Sequence, residues 1–270
     1  MIIDFHTHVF PDKIAASAVK SVGENTGIKP YSDGTVTGLL SALSEANVDI
    51  AVNLPAITKP SQFDGVRLFA EQLNAKDYGM GPKIISFAGM HPDCEDVEEK
   101  TEHLKKDGFL GIKIHPDYQG TYIDDEKYVR ILNSAKKHGL IVLTHAGLDG
   151  AYIDSDIKCT PTRVMRLLDK VGGYEKLVLA HLGGNEMTTE VYNTVAGEDV
   201  YLDTSFVLPR VKKSDFDKIL SKHGDKKILF ATDSPWQNIK DQVSIIRSFK
   251  PGAAAEERIF SINARALLGI

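Results

Sequence analysis

Short apolar runs rich in β-branched residues recur along this chain, and each is followed by an amphipathic stretch long enough to cross back over a sheet. The runs cover residues 2–9, 49–55, 84–90, 109–115, 140–145, 177–181, 200–206 and 228–232. Several are nearly continuous in apolar character, as parallel strands are when helices cover both faces. Few architectures satisfy such a β–α alternation. Eight units in 270 residues predict the α/β class and a (β/α)₈ TIM barrel, with residues 1–270 forming a single domain. A doubly wound open sheet has the same alternation and is the structural alternative, because strand count alone does not dictate closure.

Helix ends are marked between the runs. Thr160-Pro161 places a capping hydroxyl before a first-turn proline, and Lys137-His138-Gly139 supplies cations and then a glycine where a helix stops. Ser214 and Asp217 mark a start for the helix through Leu220. Segment 11–47 is longer than a crossover requires. With Gly27, Pro30, Asp33 and Gly34 in its middle and apolar spacing at Leu39, Leu40 and Leu43, it predicts a small helical insertion after strand 1, followed by the first barrel helix. No internal repeat, low-complexity tract or long linker calls for a second domain.

Composition narrows the partners. The net charge of -5, with Lys and Arg scattered among acidic residues, offers no basic field for nucleic acid. The start MIIDFHTHVF does not resemble a leader, and no apolar run approaches the roughly 20 residues of a membrane span. A cytoplasmic enzyme acting on a small molecule is expected, without nucleic-acid or membrane partners; association into a homo-oligomer through the outer helices is compatible with such a barrel. Cys94 and Cys159 are distant in sequence and form no CxxC knuckle, and His91 near Cys94 is weak support for a thiolate nucleophile.

The sharpest chemical signal is Asp4-Phe5-His6-Thr7-His8 at the end of the first run. Residues two apart on a strand project to the same side, so His6 and His8 can grip one ion, and neutral imidazole suits zinc and its neighbours. Histidine returns at the same relative place in Leu143-Thr144-His145-Ala146-Gly147 and in Leu179-Ala180-His181-Leu182-Gly183-Gly184. Asp233, in Phe230-Ala231-Thr232-Asp233-Ser234-Pro235-Trp236, adds a carboxylate at the eighth strand end. In a parallel barrel all carboxyl ends open on one face, where barrel enzymes keep their active sites.

These residues resemble the amidohydrolase superfamily, specifically its amidohydrolase-related branch of small barrels. The match runs the length of the chain through DFHTH, GIKIHP, LTHAG, LAHLGG, YLDTS, ATDSPW and the terminal NARALLGI. The resemblance implies that His6, His8, His145 and Asp233 are metal ligands and that His181 is a further ligand or a catalytic acid/base. It also implies that Asp233 shuttles the proton of an attacking water. Superfamily members with two metals take a bridging carboxylate from the fourth strand, where this chain offers Lys113 and, on the same face, His115. Lys113 can be carboxylated and bridge two ions, hold an anionic substrate group as an ammonium, or neutralise Asp233; one tightly held divalent cation, Zn²⁺ foremost, is the expectation, with two ions as the alternative.

A divalent cation lowers the pKa of bound water from about 16 towards 7 and polarises the carbonyl under attack, while His181 as a donor can stabilise the oxyanion. The expected reaction is hydrolysis of an amide, cyclic amide, lactone or ester. The resembling branch also contains metal-dependent non-oxidative decarboxylases and hydratases of aromatic or unsaturated carboxylic acids, which sets the alternative. For the substrate pocket the candidates are Lys113, His115, Trp236 three residues after Asp233, and Arg210 as a carboxylate clamp, with His91, Tyr118, Tyr152 and Phe206 also after strand ends.

Overall fold

The computed structural model describes residues 1–270. Its strands are β1 (Ile3–Thr7), β2 (Ile50–Asn53), β3 (Lys83–Ser86), β4 (Ala88–Gly89), β5 (Gly111–Ile114), β6 (Ile141–Thr144), β7 (Leu177–Leu179), β8 (Tyr201–Asp203) and β9 (Ile228–Leu229). All pairings are parallel and follow chain order, in one ladder of β1-β2-β3 and another from β4 to β9. β3 and β4 are one barrel strand broken at Phe87, whose amide still donates to the Asn53 carbonyl at 3.0 Å. The outer edges also meet: Phe5 N donates to Phe230 O at 2.9 Å, Asp233 N to His6 O at 2.8 Å and His8 N to Ser234 O at 2.7 Å. This seam closes the eight-unit barrel and leaves no open edge. Asp4 is buried in the seam and accepts from Thr232 N at 3.0 Å and Thr232 Oγ1 at 2.6 Å. Burial pushes its carboxyl up to about 7 against the pull of those bonds.

Helices α1 (Asp12–Thr26), α2 (Val36–Ala46), α3 (Phe63–Ala75), α4 (Val97–Lys106), α5 (Glu126–His138), α6 (Pro161–Val171), α7 (Thr188–Asn193), α8 (Lys213–His223), α9 (Ile239–Phe249), α10 (Ala253–Glu257) and α11 (Asn263–Leu268) connect or follow the strands. None is long and apolar enough to cross a membrane. The Thr160 hydroxyl caps α6 by accepting from Arg163 N at 3.2 Å, and Gly139 ends α5 at φ 66. α8 begins one residue before Ser214 and has no side-chain cap.

Two apolar clusters hold the barrel. One lies between strands and helices, and the other fills the interior with Phe5, Val52, Phe87, Leu143 and Val178, reaching Ala264 and Leu268 of α11. Gly111 makes room for this filling: a Cβ there would come within 2.5 Å of the Phe87 ring and 2.7 Å of the Ile141 carbonyl.

Simple alternation along β1 would put Ile3, Phe5 and Thr7 on one face and His6 and His8 on the other, leaving the histidines opposite the interior. The register resolves the conflict. Asp4 pairs with Ala51 but Thr7 with Asn53, so β1 carries one extra residue over this stretch. The bulge lets Phe5 pack inside while His6 and His8 line the floor of the cavity at the carboxyl end of the barrel.

The insertion is α1. Only Ala15 and Val19 of this helix are buried, and the segment is pinned to the mouth by Phe10 N donating to Gly34 O at 2.9 Å and Tyr31 N to Pro235 O at 2.7 Å.

Candidate metal centre

At the carboxyl ends of the strands lies a cavity of about 550 Å³. His6, His8, Lys113, His115, His145, His181, Asp233 and Trp236 all line it, in agreement with their expected place at strand ends. The turns that carry these groups are strained. His181 (φ 60), Phe206 (φ 64) and Asp233 (φ 69) hold left-handed backbone that non-glycine residues rarely adopt, which is common where a fold over-determines a functional geometry.

His6 Nε2, His8 Nε2 and Asp233 Oδ1 form a triangle with edges of 3.2, 2.9 and 3.4 Å. Ligand atoms bound about 2.1 Å from one ion stand roughly 3.0–3.4 Å apart, so this triangle has the dimensions of a coordination face. The ring orientations agree. His6 Nδ1 faces Asp203 Oδ2 at 2.8 Å and His8 Nδ1 faces the Leu54 carbonyl at 2.8 Å. Both partners are acceptors, so each ring donates from Nδ1 and turns an Nε2 lone pair inward.

His181 and His145 repeat the pattern. His181 Nδ1 donates to the Ser205 carbonyl at 3.1 Å, His145 Nε2 donates to the Gly147 carbonyl at 3.2 Å, and the remaining nitrogens face each other at 3.0 Å. Burial lowers the pKa of His6, His115, His145 and His181, and Lys113 adds to the effect, so these rings stay neutral near pH 7. Facing lone pairs on neutral rings repel unless a cation or proton lies between them. The donor set therefore fits a divalent metal.

Burial alone would push Asp233 up, but the hydrogen bond with His8 and the surrounding imidazoles outweigh it and hold the carboxyl well below the usual range. Its Oδ1 faces both His6 and His8, whereas Oδ2 has no partner within the protein. Lys113 is fully buried and its Nζ lies 3.2 Å from His6 Nε2; burial lowers its pKa to about 8. It makes no contact ion pair with Asp233, but the charges of Asp203 and Asp233 oppose the effect of burial on its ammonium.

A second group of three close donors comprises His115, His145 and Asp149, with His115 Nε2 at 3.5 Å from Asp149 Oδ2. His145 thus stands with His181 and this second group, outside the His6–His8–Asp233 triangle with which it was expected. The His115 and His145 rings are stacked at 4.3 Å and 12°, and Tyr118 stacks on the other face of this set at 3.8 Å from His115.

The amidohydrolase family model matches residues 3–270. This chain belongs to the amidohydrolase family. Among curated proteins none matches it in sequence. Solved structures with the same fold include 2,6-dihydroxybenzoate decarboxylase from Rhizobium, at 16% identity and a TM-score of 0.69 over 99% of this chain and 98% of that one. The 5-carboxyvanillate decarboxylase of Novosphingobium aromaticivorans, solved with bound manganese, gives 15% identity and a TM-score of 0.74 over 100% and 97%. A candidate 2-pyrone-4,6-dicarboxylic acid hydrolase from Pseudomonas putida gives 15% and 0.66 over 99% and 97%. The family's fold thus carries both hydrolases and decarboxylases.

One pocket expectation is placed elsewhere in this family member. Arg210 does not line the cavity: its guanidinium lies over the Phe206 ring at 4.1 Å and pairs with Glu186 at 3.3 Å and Asn185 at 3.2 Å. Cys94 and Cys159 are buried, and burial pushes both thiols up, away from nucleophilic use. His91 and Tyr152 lie outside the cavity wall as well.

Sequence reasoning missed Asp203 as an orienting residue. Its Oδ2 holds His6, and its Oδ1 accepts from His181 N and Ser205 N, each at 3.0 Å. The signal was present, since Asp203 closes its strand as His145 and Asp233 close theirs. Asp149 had no such signal, because it lies in the loop beyond β6.

Proposed function

We propose that this amidohydrolase family member is a hydrolase that uses one divalent cation, held by His6, His8 and Asp233, to cleave an amide, cyclic amide, lactone or ester bond of a small molecule. The donor triangle at the cavity floor, with both rings locked by acceptors behind them, carries this reading. Zn²⁺ is the expected ion, because two imidazoles and a carboxylate with an open position form a set it takes in hydrolytic sites. When bound, such a cation makes water ionisable near pH 7 and polarises a carbonyl oxygen.

The chain's own groups do the rest. Asp233, ionised at neutral pH, accepts the water's proton through its free Oδ2 and returns it to the leaving group. With its Nδ1–H held by the Ser205 carbonyl, His181 turns Nε2 into the site, where it would act as a further ligand or as the acid/base beside the reacting groups. The Tyr118 hydroxyl lines the cavity without a protein partner, and burial keeps it protonated, which suits it to donate to the oxyanion. Lys113 and His115 hold the polar end of the substrate. Carboxylated, Lys113 would supply the bridging carboxylate of a two-ion site, with His145 and His181 as the further nitrogen donors available.

Metal content by plasma mass spectrometry tests this reading. About one equivalent in the native protein and little in a His6→Ala/His8→Ala variant is the expected result for a three-donor site. Two equivalents would assign Lys113 the bridging role, and no uptake of added Zn²⁺ or Mn²⁺ would overturn the proposal.

A second reading, non-oxidative decarboxylation of an aromatic acid, is favoured by the rings of Tyr118, Phe206 and Trp236 in the cavity wall and by the decarboxylases that share the fold. Carbon dioxide release from hydroxybenzoates, measured beside hydrolysis of lactones and esters, separates the two.

A further inference from the structure

The cavity has two unlike halves. Its imidazoles, Lys113, Asp149 and Asp233 all belong to the floor, whereas the mouth between α1 and α3 presents no charged side chain. On α1, Ile14, Ala18 and Val22 follow a four-residue spacing and line the cavity, beside the Ala15–Val19 stripe that anchors the helix. On α3, Val66 and Phe69 line the opposite wall. Ile14 is 50% exposed, so an apolar stripe is kept facing an opening rather than a core. At about 550 Å³, the cavity is within the roughly 300–1,000 Å³ range that encloses ligands of drug size. A compact polar molecule on the floor would leave the mouth in contact with water.

We infer that the substrate is amphipathic: a polar reacting head sits on the floor, and an apolar alkyl or aryl arm runs out between α1 and α3. The identity of the head as the reacting end rests on the proposed reaction, but the arm's place rests on the continuity of the cavity and the absence of charge along its outer walls. Its contribution comes from removing methylene surface from water, and each buried methylene is expected to tighten binding about two- to fourfold.

Calorimetric titration of the metal-loaded protein with acetate, butanoate, hexanoate and octanoate tests the inference. Affinity is expected to rise stepwise with chain length, and Val22→Gln/Val66→Gln is expected to flatten that rise while leaving acetate binding unchanged. Both substitutions are at half-buried positions, and thermal melts check that the variant is folded. Affinity independent of chain length would overturn the inference, as would a rise that survives the paired substitution. The same series on the His6→Ala/His8→Ala protein keeps the two readings apart: a preserved chain-length dependence there supports the arm whether or not the metal proposal holds.

Discussion

The two groups of close metal donors are built from the same residue types and differ in nearly everything that matters for holding an ion. In the first, His6 and His8 are inclined at 72°, so both ring planes can contain one point, and each ring is fixed from behind by an acceptor. In the second, His115 and His145 are nearly parallel at 12° with centroids 4.3 Å apart, so a single ion cannot lie in both planes. There His145 also spends its Nε2 proton on the Gly147 carbonyl. Proximity of three donors is therefore a weak criterion; ring direction and tautomer decide.

The largest effect should come from exchanging one carboxylate in each group. Asp233→Asn is expected to remove metal from the purified protein and to lower turnover by about 10²–10⁴-fold, because both a ligand and the proton acceptor are lost. Asp149→Asn should leave metal content unchanged. Equal metal loss in the two variants would erase the distinction between the groups.

A smaller effect is expected behind the first group. Asp203→Asn keeps the shape of the side chain but weakens its hold on His6 Nδ1 and on the backbone of the His181 turn. Metal affinity, measured by competition with a chelator dye, should fall by about 10–100-fold, as is usual for outer partners of ligating histidines. An unchanged affinity would mean that the bulge in β1 alone orients His6.

The position of the first group was legible in the sequence because its histidines and Asp233 recur at strand ends, a one-dimensional signal that the barrel turns into a ring. The β–α alternation, the helix start at Thr160 and the helix stop at Gly139 were legible for the same reason: each is local. Closure was expected from eight such units, but the seam that achieves it was not legible, since the bond from Phe5 N to Phe230 O joins residues with no sequence relation. The bulge was hidden too, because it exists only in the pairing of Asp4 and Thr7 with β2. Arg210 was misplaced by distance along the chain; the left-handed turn at Phe206 lies between it and the strand end, and its guanidinium rests on that ring away from the cavity wall.

The smallest expected effect sharpens the second group. Asp117 accepts from Lys158 N at 3.1 Å through Oδ1, but its Oδ2 is buried without a partner, 4.0 Å from His145 Nε2. Burial raises its pKa to about 6, the Lys158 amide opposes this, and nearby Asp149 adds to it. An unfolded aspartate titrates near 3.9, so between roughly pH 4 and 6 the folded chain holds a proton that the unfolded chain has released. Stability from this group is full below that window, is lost as pH rises through it, and stays lost above. Asp117→Asn cannot titrate, so its melting temperature should gain on the native protein from pH 4 to 6 and keep a constant lead to pH 8. A cation seated in the second group would neutralise Asp117 and Asp149 and erase this lead. If adding Zn²⁺ to the His6→Ala/His8→Ala protein abolishes the lead, the second group holds an ion and the contrast between the two groups fails; if the lead persists, the stacked pair is a neutral wall of the cavity.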